Sequence, residues 1–137
     1  MRSLLKDADL IKISDEETAL LTDSEAPEEA IVKLTDLGIK IACVTLGADG
    51  ALVRAQGKTV KVPGFKTDAV DTTGAGDSFW GGFIYAMLES GKDINDITAE
   101  EAAAFARFGN AAAACCVKKT GAIPAMPTLD DVNALLD

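Results

Sequence analysis

Short apolar runs alternate with segments of helical periodicity along this chain. Leu10-Ile-Lys-Ile13 is short and apolar and reads as a buried strand. Ser14-Asp-Glu-Glu17 follows it with the S-x-x-E order of a capping box, which opens a short helix. Pro27 suits a first helical position, and Ala30, Ile31, Leu34 and Leu37 then recur at helical spacing until Gly38 stops the helix. Residues 39–46 are rich in β-branched and apolar side chains and read as a central strand. Together these make a strand–helix–strand unit, for which a right-handed crossover is expected.

The second half begins with a reversal. Gly47-Ala-Asp-Gly50 is a turn, and residues 51–56 and 58–63 flank Gly57-Lys58 as a hairpin. After Asp71, the Gly74-Ala-Gly76 stretch leads into a helix ending near Glu89, with Phe79, Phe83, Ile84, Met87 and Leu88 on one face. Gly81-Gly82 inside it costs about 1 kcal/mol per glycine relative to alanine, which close packing against a neighbour would offset. Thr98-Ala-Glu-Glu101 is a second capping box, opening an alanine-rich helix to about Val117. Residues 121–127 form a loop and Thr128-Leu-Asp-Asp131 opens a last helix. The alternation predicts one α/β domain over residues 1–137, with a mostly parallel sheet flanked by helices and a small hairpin.

Composition narrows the chemistry. The net charge is −9, from 13 basic and 22 acidic residues, so nucleic acid and anionic membrane are poor partners. No apolar run approaches the roughly 20 residues of a membrane span. The absence of histidine removes Ser-His-Asp and Cys-His catalysis and every His-dependent metal site. Cys43, Cys115 and Cys116 form no C-x-x-C, which argues against a zinc ribbon or disulfide framework and suits a reduced, cytoplasmic setting.

Chemistry therefore falls to carboxylates, hydroxyls, lysines and backbone amides. Asp71-Thr-Thr-Gly-Ala-Gly-Asp77 places glycines at a strand-to-helix junction, where backbone amides can approach a ligand. The first N–H groups of a helix lack intrahelical partners, and the helix dipole adds positive character there. The result is an anion hole, most useful when a transferring phosphoryl group gathers charge. Asp77, in the first turn, can accept a proton from a substrate hydroxyl. The same residues also fit a plain glycine-rich loop with Asp77 as an N-terminal charge stabiliser, and pattern alone leaves the two readings level. Gly50 with Gly57-Lys58-Thr59 is not a Walker A loop, because its spacer is too long and it falls on a hairpin. Trp80 and Cys115-Cys116 read as packing residues, and Lys118-Lys119 as cations suited to a helix C-terminus.

Asp71-Thr-Thr-Gly-Ala-Gly-Asp-Ser-Phe79 resembles the C-terminal signature of the ribokinase-like (PfkB) carbohydrate kinases. Three further segments agree in the same order. Ser14-Asp-Glu-Glu17 resembles the N-x-x-E motif, with Ser14 in the place of the usual Asn. Thr45-Leu-Gly-Ala-Asp-Gly50 resembles the T-x-G-x-x-G nucleotide loop, and residues 110–127 resemble the helix and loop that enclose adenine. Lys12-Ile-Ser-Asp-Glu-Glu17 and Gly121-Ala-Ile-Pro-Ala-Met-Pro127 look most like bacterial fructokinases.

The resemblance implies ATP-dependent phosphoryl transfer to a sugar hydroxyl, with Asp77 as base and Gly74, Ala75 and Gly76 as anion hole. It implies a nucleotide site lined by Thr45, Gly47 and Gly50, with Asn110 near adenine or ribose and Glu17 organising Mg²⁺ and phosphate. Asp71 and Thr73, with the carbonyl of Gly121, match positions that hold a monovalent cation such as K⁺. Carbonyls of Cys116, Lys119 and Ala125 would complete that site, Ala125 standing where serine is common. Ser14 with Glu17 equally fits a capping box alone. Family members are about twice this long, so the chain matches the C-terminal, nucleotide-binding half, without the sugar-binding half and lid. An exposed sheet edge is then expected, open to a second copy or to the other half. The alternative is an isolated nucleotide-binding module with no turnover of its own.

Overall fold

Among the described residues, four strands form one sheet in the order β1 (Leu10–Ser14), β2 (Ile41–Thr45), β3 (Ala51–Ala55) and β4 (Lys58–Val62). The helices are α1 (Thr18–Thr22), α2 (Pro27–Asp36), α3 (Ala75–Ser90), α4 (Ala99–Val117) and α5 (Leu129–Leu136). The computed structural model describes residues 8–24, 26–65, 75–117 and 129–136. No helix among them is long and apolar enough to cross a membrane.

β2 is buried from Ile41 to Val44 because both faces of the sheet are covered. Ala42 and Val44 face one way and pack with Ile13, Leu52 and the α2 residues Ile31 and Leu34. Ile41 and Cys43 face the other way and pack with Val53, with Phe79 and Phe83 of α3, and with Phe105 and Ala106 of α4. The chain is thus a three-layer sandwich, with α2 on one side of the sheet and α3 and α4 on the other.

One expectation changes. Only β1 and β2 run parallel, whereas β2–β3 and β3–β4 are antiparallel, so the described sheet is not mostly parallel. The cause is local: Leu46 N–H donates to Gly50 C=O across the four-residue turn, and β3 returns beside β2 with no crossover helix. The hairpin turn also moves by one residue. Gln56 and Gly57 occupy it with φ of 50° and 78°, the two positive values that a two-residue type I′ turn needs.

Both capping boxes form. Ser14 N–H and Oγ donate to Glu17 Oε1 at 3.1 and 2.9 Å. Thr98 N–H donates to Glu101 Oε1, and Glu101 N–H donates to Thr98 Oγ1, each at 3.2 Å. Lys92, and then the Thr98 N–H, hold the Glu101 carboxyl below its usual range. A depressed carboxylate stabilises the fold at neutral pH, and that contribution disappears as pH falls through the depressed value.

The close contact of α3 with α4 rests on glycine. A Cβ on Gly109 would lie 2.6 Å from the Phe79 carbonyl oxygen, and one on Gly82 would lie 3.1 Å from both Gly109 Cα and Ala112 Cβ. Gly81 differs, being exposed with nothing within 4 Å of its Cβ position. The predicted apolar face of α3 is correct at Phe79 and Phe83 but not at Leu88, which is 70% exposed. Two opposite outcomes follow for denaturant unfolding of the protein. Gly109→Ala should destabilise it by about 1–3 kcal/mol through overpacking, whereas Gly81→Ala should stabilise it by up to about 1 kcal/mol.

Candidate phosphoryl-transfer site

Several of the residues singled out by sequence lie at the C-terminal ends of the parallel strands β1 and β2. In open α/β sheets this is where ligands bind. Ser14 ends β1 and Thr45 ends β2, and the two are register partners. Thr45 Oγ1 donates to Ile13 C=O at 3.4 Å, closing the gap between the strands. Glu17 is exposed at the same rim, its carboxylate fixed by Ser14.

Gly47 and Gly50 form the turn that leaves β2, with φ of 61° and 99°. Gly50 has a second requirement. A Cβ there would lie 2.0 Å from Val62 C=O and 2.5 Å from Gly64 N, so only glycine lets the turn press on the end of β4. Asn110, buried in α4, reaches the same segment from the other side. Its Nδ2 donates to Val62 C=O at 3.2 Å and to Pro63 C=O at 3.1 Å. The polypeptide that leaves β4 is therefore held between two residues assigned to the nucleotide on sequence grounds. Asn110 acts here as an internal tie, a use that its motif position did not disclose.

Ala75 and Gly76 open α3, and Asp77 lies in its first turn with its side chain exposed. The neighbours Ser78 and Phe79 are buried, so the helix is anchored one residue beyond the carboxylate. Gly74, Asp71, Thr73 and Gly121 lie outside the described residues, as do Lys119 and Ala125. Cys116 is described and buried near the end of α4. Trp80 stacks on Phe83 with ring centroids 5.4 Å apart, in agreement with a packing role.

Lys12, quoted in the sequence only as part of the fructokinase-like segment, also reaches the start of α3. Its Nζ lies 3.2 Å from the Cβ position of Gly76, at the start of α3. Burial pushes the neighbouring Cys43 thiol up, and the positive charge of Lys12 opposes this. The available signal was alternation, because Lys12 occupies an inward position of an otherwise apolar strand.

A cleft of about 320 Å³ lies at the opposite end of the sheet, lined by Asp36, Lys40, Arg54 and Asn95 among others. It contains none of the residues above. Arg54 spends its donors there on Thr35 and Thr59 hydroxyls, each at 2.9 Å, so the cleft is braced internally.

Comparison with known proteins bears on the family and the fold. The chain is 39% identical to a probable fructokinase-5 of Arabidopsis thaliana over 99% of its own length and 42% of the relative's. It matches a ribokinase of Arabidopsis thaliana solved with ribose and ATP, with a TM-score of 0.83 and 36% identity over all of the chain and 43% of that structure. A fructokinase double mutant of Vibrio cholerae, solved with fructose, ADP and potassium ion, gives a TM-score of 0.85 and 33% identity over 98% of the chain and 43% of that structure. The chain thus spans less than half the length of these relatives and has the ribokinase-like α/β fold. The pattern for pfkB family carbohydrate kinases matches residues 1–129, and the chain belongs to that family.

Proposed function

We propose that this chain supplies the nucleotide site, anion hole and catalytic base of an ATP-dependent sugar kinase, with fructose as the preferred acceptor. The observation that carries the reading is the exposed Asp77 carboxylate in the first turn of α3, directly after the Ala75 and Gly76 amides. Asp77 takes the proton of a sugar hydroxyl, whose oxygen attacks the terminal phosphorus of ATP. The bond from that phosphorus to the bridging oxygen breaks and ADP leaves. The amides of Gly74, Ala75 and Gly76 hold the transferring phosphoryl as charge builds on its oxygens.

Thr45, Gly47, Gly50 and Asn110 shape the nucleotide side in this reading, the last through its hold on Val62 and Pro63. Mg²⁺ arrives with ATP. Among the described residues no group of three acidic or sulfur ligands would cage a metal. Mg²⁺ typically keeps several waters and binds through one or two carboxylates plus phosphates. The single fixed carboxylate of Glu17 fits that donor set. Asp71, Thr73 and Gly121 are the proposed holders of a monovalent cation such as K⁺.

β1 supports a second reading, a nucleotide-binding module that does not turn over alone. It is a terminal strand of the described sheet, paired only with β2. Such an edge accepts another strand, from a second copy or from the sugar-binding portion present in longer relatives. Calorimetry on the 137-residue chain separates the readings: ATP-Mg binding without fructose binding or turnover favours the module.

Two outcomes are expected for variants of the protein. Asp77→Asn should lower kcat by about 10²–10⁴-fold with ATP affinity nearly unchanged, the loss expected for one general base. Near-normal turnover would remove Asp77 from that role. Asn110→Ala should destabilise the nucleotide-free protein by about 1–3 kcal/mol, because two carbonyls lose their donor. An unchanged unfolding midpoint would show that the tie contributes nothing.

A further inference from the structure

The cleft of about 320 Å³ at the opposite end of the sheet gathers cations that the fold leaves unpaired. Arg54 stands in β3 on the α2 side, half-buried, between Thr35 and Thr59. Its Nε and one Nη donate to those two hydroxyls at 2.9 Å. A guanidinium has five N–H donors, and among the described residues the others meet no acceptor. The two hydroxyls thus fix the plane of the guanidinium without neutralising it. Lys40 and Asp36 line the same cleft, both exposed, and neither makes an ion pair among the described residues.

The end of α2 does not absorb this charge. The carbonyls of Leu34 and Thr35 accept from the N–H groups of Leu37 and Gly38 at 3.2 and 3.0 Å, so that helix end is capped by backbone. In a chain of net charge −9, two unpaired cations beside one cavity are a local exception. The rest of the lining is apolar in part. Ile39 comes from the core on the α2 side, Ile97 from the core on the α3/α4 side, and Ile94 lies between α3 and α4.

We propose that this cleft is a second binding site, separate from the phosphoryl-transfer site, for a small α-hydroxy acid with an aliphatic body. A fixed guanidinium offers paired donors that match a carboxylate, and Lys40 adds a point charge. Phosphate has the same match, but the negative end of the α2 dipole and the Asp36 carboxylate penalise a doubly charged group. Asp36 accepts the ligand hydroxyl. An ammonium in that place would face Arg54 and Lys40, which disfavours an amino acid. The isoleucines take the aliphatic part.

Thermal unfolding of the protein with 2-hydroxyisocaproate tests the site. At about 10 mM the ligand should raise the melting temperature by about 3–6 °C, as expected for a millimolar Kd. Lys40→Glu, at an exposed position, should leave the unliganded melting temperature within about 1 °C and abolish the rise. Arg54→Lys should at least halve the rise, each variant being read against its own unliganded value, because the charge stays and the fork is lost. No rise in the parent, or an undiminished rise in both variants, would overturn the site. An equal rise with sulfate at matched ionic strength, with leucine, or with the uncharged amide of the probe would overturn the ligand class.

Discussion

Helices α3 and α4 meet on one face of the sheet at a separation that only glycine permits. Gly109 lies against the carbonyl of Phe79, and Gly82 lies against Gly109 and Ala112. This contact sets the height and direction of α3 over the strands. It brings Phe79 and Phe83 into the core with Val53 and Phe105, where each ring stabilises the fold by about 1.5–3 kcal/mol. The same contact determines where α3 begins. Fixing Phe79 fixes Asp77 two residues earlier, and with it the amides of Ala75 and Gly76. α4 also carries Asn110, so the packing that seats α3 seats the tie to Val62 and Pro63 as well.

The resulting rim combines groups of opposite character. Carboxylates at Glu17 and Asp77 are exposed, while the positive features are backbone amides and the ammonium of Lys12. This suits phosphoryl transfer in an acidic protein. The global field opposes a polyphosphate, so the proposed nucleotide site would depend on short-range donors that act at a few ångströms. Asp77 meets no cation among the described ion pairs, which leaves its carboxylate open to a hydroxyl proton.

Much of this was legible in the sequence, for identifiable reasons. The strand β2 and helix α2 were readable because apolar runs and 3.6-residue periodicity report burial directly, and both capping boxes formed where Ser14-x-x-Glu17 and Thr98-x-x-Glu101 placed them. The need for close packing at Gly82 was also readable, because a glycine inside a helix requires compensation. Sheet direction was less so. A strand followed by a four-residue turn returns antiparallel, yet the alternation of strands and helices around it suggested parallel pairing. Leu88 joined the apolar face by spacing but is left exposed. Long-range polar contacts were the least accessible. Nothing local in the helix around Asn110 names Val62 and Pro63 as its acceptors, and the approach of Lys12 to Gly76 shows only when β1 and the start of α3 are seen together.

The central claim is that the start of α3 is where phosphate is held and transferred. The most direct measurement is a crystal structure of the protein with a non-hydrolysable ATP analogue, Mg²⁺ and fructose. The account predicts the terminal phosphate on the amides of Ala75 and Gly76, with the Asp77 carboxylate within hydrogen-bond reach of a sugar hydroxyl. A terminal phosphate bound away from those amides, or a sugar hydroxyl facing another base, would contradict it.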